Sequence, residues 1–304
     1  MDNQTTMPYF LLLEFSTARQ LQLLHSFFFF VLYLAITTAN LLIIAAITFD
    51  QQLHRPMYFF LMNLALQDVG SVSVIVPKSM INSLMDTRHI SYFGCIIQVF
   101  LFVSFLGSSL SLLTVMAYDR YVAICHPLHY EMMMNWKVCT EMMILVWFAG
   151  LLYGTLHTTG TFSIPFCSNV VNQFFCEIPH LLKLSCTGFN LLEIGVLVTS
   201  AAAALGCCTF IIVSYAVIFK AVLRIPSEQG RQKALSTCIP HLTVVFMFFL
   251  TGCFANLGPT SDTPSYLNFG LTLMYSIIPP LFNPIMYSMR NKNIRFVLSK
   301  VWRL

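Results

Sequence analysis

Residues 94–116 carry no charged side chain. A helix that crosses the hydrocarbon core of a bilayer needs about 20 predominantly apolar residues, and this run supplies them. Six other segments read the same way, giving seven: 27–49, 57–84, 94–123, 140–160, 194–222, 235–257 and 267–289. Hydrocarbon offers no water to a bare N–H or C=O, so runs of this length close their backbone bonds internally as helices. The expected fold is an all-α membrane protein, a seven-transmembrane helix bundle.

Composition excludes the alternative of a water-facing surface. The chain is 57% hydrophobic and 9% charged, against about 25% charged in ordinary soluble domains. The net charge of +4 is spread along the chain and makes no basic face, so nucleic acid is not an expected partner. Pro77, Pro240 and the pair Pro279-Pro280 fall inside apolar runs. A bundle tolerates them because neighbouring helices re-satisfy the freed carbonyls.

Charge sets the expected orientation. With the N-terminus outside, the inner side holds Arg55, Arg120, Lys137, Lys220, Arg224, Arg231, Lys233, Arg290, Lys292, Arg295, Lys300 and Arg303. The outer side holds Arg19, Lys78, Arg88 and Lys183, so the 16 basic residues divide 12 to 4. The positive-inside rule demands that sense. It gives an extracellular N-terminus over 1–26, a helix bundle over 27–289 and a cytoplasmic tail over 290–304, all one domain. Asn3-Gln4-Thr5 is an N-glycosylation sequon, usable on the extracellular side. Glu14 and Arg19 interrupt the early apolar residues, so the first span is expected to act as its own targeting signal.

Cysteines sort by compartment. Cys95, Cys167, Cys176 and Cys186 fall on the oxidising side, where disulfides persist, while Cys125, Cys139 and Cys238 face the reducing side. No Cys-x-x-Cys spacing points to a metal. His126 and His129 stand three apart in a loop without carboxylate or thiol support, too little for a metal site.

The polar residues inside the spans carry the functional information. Asp68 is an acid in mid-span, and intramembrane acids mark functional sites by default. Arg120 ends the third span beside Asp119. Counting back from Arg120 by helical turns places Phe102, Val103, Leu106, Gly107 and Leu110 on one inward face.

The wording around Arg120 is specific. The run Met116-Ala117-Tyr118-Asp119-Arg120-Tyr121-Val122-Ala123-Ile124-Cys125-His126-Pro127-Leu128 resembles the end of the third span in odorant receptors, a branch of the rhodopsin-like G-protein-coupled receptors. Leu53-His54-Arg55-Pro56-Met57-Tyr58-Phe59-Phe60-Leu61 resembles the start of their second span. Lys233-Ala234-Leu235-Ser236-Thr237-Cys238-Ile239-Pro240-His241 resembles the start of the sixth. Pro280-Leu281-Phe282-Asn283-Pro284-Ile285-Met286-Tyr287-Ser288-Met289-Arg290-Asn291 is similar to the end of the seventh. Trp147 and Ser214-Tyr215 match the fourth and fifth spans. The resemblance extends from about Phe10 to Lys300 and points to the tetrapod-type class II subgroup. The chain departs from the family pattern at Pro240, where serine is usual, at Phe249, where tyrosine is usual, and at Ala39, where glycine often precedes Asn40.

The resemblance implies the rest of the site. It implies a switch of Asp119, Arg120, Tyr121, Tyr215, Asn283, Pro284 and Tyr287, with Arg120 paired to Asp119 at rest. It implies a polar core of Asn40, Asp68 and Asn283, with Ser108 or Ser109 in reach. It extends the ligand pocket from the third span to Thr199, Ser200, Ala203, Gly252, Cys253, Asn256, Thr272, Leu273 and Ser276, with Asn256, Thr199 or Ser200 meeting the ligand's polar end. It implies disulfides Cys95–Cys176 and Cys167–Cys186, and a short amphipathic helix in the C-terminal tail. The function so implied is an odorant receptor of the plasma membrane. Its partners would be a small neutral volatile, membrane lipid and a stimulatory, olfactory-type heterotrimeric G protein that raises cyclic AMP. No cofactor or metal is expected. A retinal protein needs a lysine in the last span, and residues 267–289 contain none. A membrane-embedded enzyme needs clustered His and carboxylates, and no His-Glu-x-x-His occurs. The alternative that stays open is a non-olfactory rhodopsin-like receptor for another small molecule, a lipid or a peptide.

Overall fold

A computed structural model describes residues 8–13, 18–186, 191–257 and 266–290. In chain order the elements are β1 (Tyr9–Leu12), α1 (Arg19–Phe49), α2 (Pro56–Met85), β2 (His89–Ser91), α3 (Tyr92–Cys125), α4 (Tyr130–Met133), α5 (Trp136–Phe162), β3 (Val170–Val171), α6 (Ile178–Leu182), α7 (Leu191–Val222), α8 (Glu228–Leu257), α9 (Tyr266–Ser276) and α10 (Ile278–Arg290). Among the described residues six helices are long and apolar enough to cross a membrane: α1, α2, α3, α5, α7 and α8 over Glu228–Leu250. The helices outrun their apolar cores. α1 begins at Arg19 and α8 at Glu228, because a helix started in hydrocarbon continues into water, where Glu228, Arg231 and Lys233 are at home.

The seventh apolar segment is not one helix. It divides at Ile277 into α9 and α10. Pro279 and Pro280 have no N–H to give the carbonyls four residues earlier, so the ladder fails there. Pro284 repeats the fault and strips the carbonyl of Pro280 of its partner. Asn40 on α1 repairs that loss: its Nδ2 donates to Pro280 O at 3.1 Å and to Ile36 O at 3.0 Å.

Caps define other ends. The Ser91 side chain accepts the Gly94 N–H at 3.0 Å to start α3, and Asn135 accepts that of Val138 at 3.1 Å to start α5. Pro56 stands in the first turn of α2, where its missing N–H costs nothing. Asp86 closes α2 with φ of 54°, a left-handed cap.

The helices expected from sequence are joined by a small sheet that hydrophobic runs alone do not announce. Its order is β2-β1-β3, antiparallel between β1 and β2 and parallel between β1 and β3. Tyr9 stands opposite Ser91, and Leu11 opposite both His89 and Val170. Each strand is too short to give an alternation signal. Their apolar sides bury Phe10, Leu12, Ile90 and Val171 against Cys95 and Val99 of α3. Asn3 and residues 291–304, where the sequon and the tail helix were expected, lie outside the described residues.

α3 is the central helix, packed against α5, α7 and α2. Glycines allow its approach to α5. A Cβ on Gly150 would come 2.6 Å from Ser104 O, and one on Gly154 would come 2.7 Å from Phe100 O. Both neighbours are backbone and cannot turn aside. Close approach through small residues four apart is how membrane helices gain packing energy without a hydrophobic driving force. Gly154→Val is expected to force α3 and α5 apart at a cost of about 1–3 kcal/mol, and to lower cell-surface display severalfold by flow cytometry. Gly206→Ala, where an added Cβ meets nothing within 4 Å, should leave display unchanged.

Candidate functional site

At one end of the bundle the loop after α5 turns inward. Cys176 is bonded to Cys95 in the first turn of α3, with Cα atoms 5.6 Å apart. Cys167 is bonded to Cys186, Cα atoms 4.9 Å apart, folding the loop on itself. Gln98, one turn beyond Cys95, accepts the Cys176 N–H at 2.8 Å and donates to Val74 O of α2 at 3.0 Å. Ser79 of α2 donates to Phe174 O at 2.9 Å, and Gln173 Nε2 donates to Thr272 Oγ1 of α9 at 2.6 Å. Phe174 and Phe175 are fully buried. The loop therefore forms a plug tied to α2, α3 and α9, and β1 lies over it, Leu13 N–H donating to Gln173 O at 2.9 Å.

The residues expected to line a pocket fall into three groups around this plug. Phe102 meets Phe175 edge-on at 5.3 Å between ring centroids, and Leu273 packs in the same cluster. Thr272 is engaged by Gln173, and Ser276 donates back to Thr272 O at 2.6 Å. A second group lies between α3, α5 and α7. There Val103 is buried, Gly107 faces the Tyr153 ring, and Ser200 lies 2.7 Å from His157 Nε2. Leu110 is half-buried on α3, and Gly252 is half-buried on α8. The third group does not converge. Leu106, Thr199 and Ala203 are exposed, and the Thr199 hydroxyl is spent on Gly195 O and Val196 O of its own helix. The side chains of Cys253 and Asn256 lie outside the described residues. A cavity of about 20 Å³ lies elsewhere, between β1, α1 and the end of α2, and holds no more than one water.

Mid-bundle, Asp68 accepts from Asn283 Nδ2 at 2.9 Å. The expected third member, Asn40, does not join them, because its amide is committed to Ile36 O and Pro280 O. Nor do the serines: Ser108 donates to Phe105 O, and Ser109 donates to Gln67 Oε1 at 3.0 Å. Pro284 is buried one residue on, and Tyr287 is half-buried with a hydroxyl that has no partner in the protein.

At the opposite end Arg120 is turned onto Asp119, both buried, with Arg120 Nε donating to Asp119 Oδ2 at 3.1 Å. Tyr130 of α4 donates to the other carboxylate oxygen at 2.7 Å. Burial, and then the Asp119 carboxylate, push the Tyr130 phenol above its ordinary value, so it stays a donor at any physiological pH. Tyr121 faces away and pairs with His126 Nε2 at 3.0 Å. Tyr215 does not reach Arg120. It pairs with His241 Nδ1 at 2.8 Å, and His241 Nε2 lies 3.1 Å from Leu113 O. A carbonyl only accepts, so Nε2 carries the proton, Nδ1 is bare and Tyr215 is the donor. One buried histidine thus ties α8, α7 and α3. Tyr130 and His241 were not among the expected residues. Both stood in quoted motifs or next to them, but only their side-chain pairing marks them. Among the described residues no group of three or more His, Cys, Asp or Glu gathers.

Comparison with known proteins now decides the family. The olfactory receptor family model matches residues 29–303. Human olfactory receptor 14C36 is 47% identical over 304 residues, covering 100% of this chain and 97% of that protein. Human olfactory receptor 14I1 is 48% identical over 306 residues, with the same two coverages of 100% and 97%. This chain belongs to the olfactory receptor family. The crystal structure of squid rhodopsin shares the fold, with a TM-score of 0.71 at 18% identity, over 94% of this chain and 82% of that one. The chain is therefore a multi-pass membrane receptor and not an enzyme. Membership implies a small-molecule ligand and a G-protein partner.

In the geometry above Arg120 is held by Asp119, and Tyr215 by His241, so no hydrogen bond joins the two residues expected to switch. Removing one buried hydrogen bond costs about 1 kcal/mol, roughly a fivefold change in a two-state equilibrium. His241→Phe is expected to raise ligand-independent signalling severalfold at matched surface level. Tyr130→Phe should act in the same direction and more weakly, because Asp119 keeps Arg120. Unchanged or lowered basal signalling in both variants would show that these bonds do not hold the resting state.

Proposed function

We propose that this receptor binds a small, neutral, mostly apolar volatile from the extracellular side and activates a stimulatory heterotrimeric G protein, raising cyclic AMP. The observation that carries the reading is near-complete alignment with olfactory receptors at close to half identity. The 12 to 4 division of basic residues supports an extracellular N-terminus and a cytoplasmic Arg120 end in one plasma-membrane receptor domain. On that orientation both disulfides lie in the oxidising compartment. The switch then reads as release of Arg120 from Asp119, so that its guanidinium fork can meet the G protein or Tyr215. Arg120→Ala should abolish agonist-evoked cyclic AMP while surface level stays within about twofold, a shift too small to explain the loss. Full signalling by that variant would remove Arg120 from the switch.

Ligand charge follows from the lining. Phe102, Val103, Gly107, Leu110, Ser200, Thr272, Leu273 and Ser276 offer apolar surface and hydroxyls, and no counter-ion. A charged ligand would lose its hydration there and gain no partner, a loss of several kcal/mol. Two acids, Glu177 and Glu193, are buried at this end. Glu177 lies 3.3 Å from His180 on the loop, and Glu193 is packed against Gly160. In a dose–response panel of alcohols, ketones, amines and carboxylic acids of matched length, neutral compounds should be the most potent. A response confined to peptides or lipids would favour the non-olfactory reading instead.

A further inference from the structure

On the Cys95 half of α5, His157, Thr158 and Thr161 turn inward and are all more than nine-tenths buried. His157 Nδ1, Thr158 Oγ1 and Thr161 Oγ1 have no hydrogen-bond partner in the protein. Two outward threonines of the same helix behave otherwise. Thr140 and Thr155 each donate to the carbonyl four residues earlier at 2.8 Å. Three unmade bonds on one buried face each cost about 1–3 kcal/mol, and a bound molecule with a matching polar atom would recover part of that.

The neighbours of His157 fix its ring. Tyr153, one turn earlier, packs edge-on against it with centroids 4.5 Å apart. The other side of Tyr153 fills the space left by Gly107 of α3, where a Cβ would stand 2.8 Å from Tyr153 Cδ1. Ser200 of α7 lies 2.7 Å from His157 Nε2. The cluster thus joins α3, α5 and α7 at two positions already expected to line the pocket, Gly107 and Ser200. The Ser200 hydroxyl can donate to Nε2 or accept from it; in the arrangement where it donates, the single proton of the neutral imidazole sits on Nδ1. His157 then presents a buried N–H donor and no acceptor for it.

We propose that His157 Nδ1–H donates to the oxygen of a neutral, hydrogen-bond-accepting ligand, a ketone, aldehyde or ester, and sets the receptor's preference for that class. The inference rests on the odorant-pocket reading and deepens it. It moves polar recognition away from Thr199, whose hydroxyl is already spent, to a histidine on α5. Ser200 and Tyr153 are positioning residues that hold the tautomer and the ring plane.

The test uses full-length receptor, tagged for surface level, with cyclic AMP as the readout. Matched methyl ketones, methyl esters and alkenes form the ligand panel. His157→Phe keeps the ring shape and deletes the donor. It should weaken the ketone and ester responses by about tenfold while leaving the alkene response within about twofold. His157→Asn, which restores an N–H, should recover part of the carbonyl response. If His157→Phe fails to reach the surface, Ser200→Ala reads the same arrangement through loss of the fixed tautomer, with a severalfold loss expected for ketones alone. Ketone potency unchanged in these variants would overturn the proposal and leave the pocket reading standing. An equal loss for ketone and alkene would assign His157 a packing role and also overturn it. An amine more potent than its matched ketone, with the loss at Glu193→Gln rather than at His157, would transfer recognition to the carboxylate. Silence of surface-displayed wild type toward every volatile would sink the pocket reading itself, and the proposal with it.

Discussion

Where these helices cross hydrocarbon there is no water to complete a hydrogen bond, so a polar side chain on an inner face must find its partner on another element. α2 is where most of those partners meet. Its Asn63 accepts from Trp147 of α5, Gln67 from Ser109 of α3, and Asp68 from Asn283 of α10. Higher up, Ser73 pairs with Tyr33 of α1, the Val74 carbonyl accepts from Gln98 of α3, and Ser79 holds the plug at Phe174. Each bond is worth about 1 kcal/mol or less in a membrane. Together they fix the register of α2 against every neighbour, which apolar packing alone leaves free to slide.

Proline gives the same constraint a functional edge. Pro279, Pro280 and Pro284 break the last crossing and leave carbonyls without N–H partners. One of them is recovered by Asn40 from α1. The broken segment carries Asn283 to Asp68 on one side and Tyr287 toward the Arg120 end on the other. A straight helix would pass strain evenly along its length. A helix with missing rungs can bend at Ile277 and again before Pro284, so movement of the plug, tied through Gln173 to Thr272 on α9, has a route toward Tyr287. The route is one of contact, from the plug through α9 and α10 to Tyr287.

What the sequence made legible follows from the length scale of each signal. Seven apolar runs are long, and six became single helices with ends displaced outward, furthest where Arg19, Glu228, Arg231 and Lys233 extend them into water. The seventh is legible too, but its two adjacent prolines override the hydropathy and divide it. The sheet of β1, β2 and β3 was not legible, because its strands span two to four residues and pair across distant parts of the chain. Asp68 could be read from residue type and depth, and its pairing with Asn283 from the family resemblance. Asn40 could not be assigned correctly, because its partner is a carbonyl freed by Pro284, a backbone consequence that residue type alone conceals.

The histidines show the limit most clearly. As letters, His157 and His241 are two imidazoles in apolar runs, and neither invites a role over the other. The structure separates them by counting partners. His241 has both nitrogens answered, one by Tyr215 and one by the Leu113 carbonyl, so it is closed and acts as a strut. His157 has one nitrogen answered by Ser200 and one left over, so it is open and acts as a valence. In a medium without water that difference decides which of two identical side chains holds helices together and which receives a ligand.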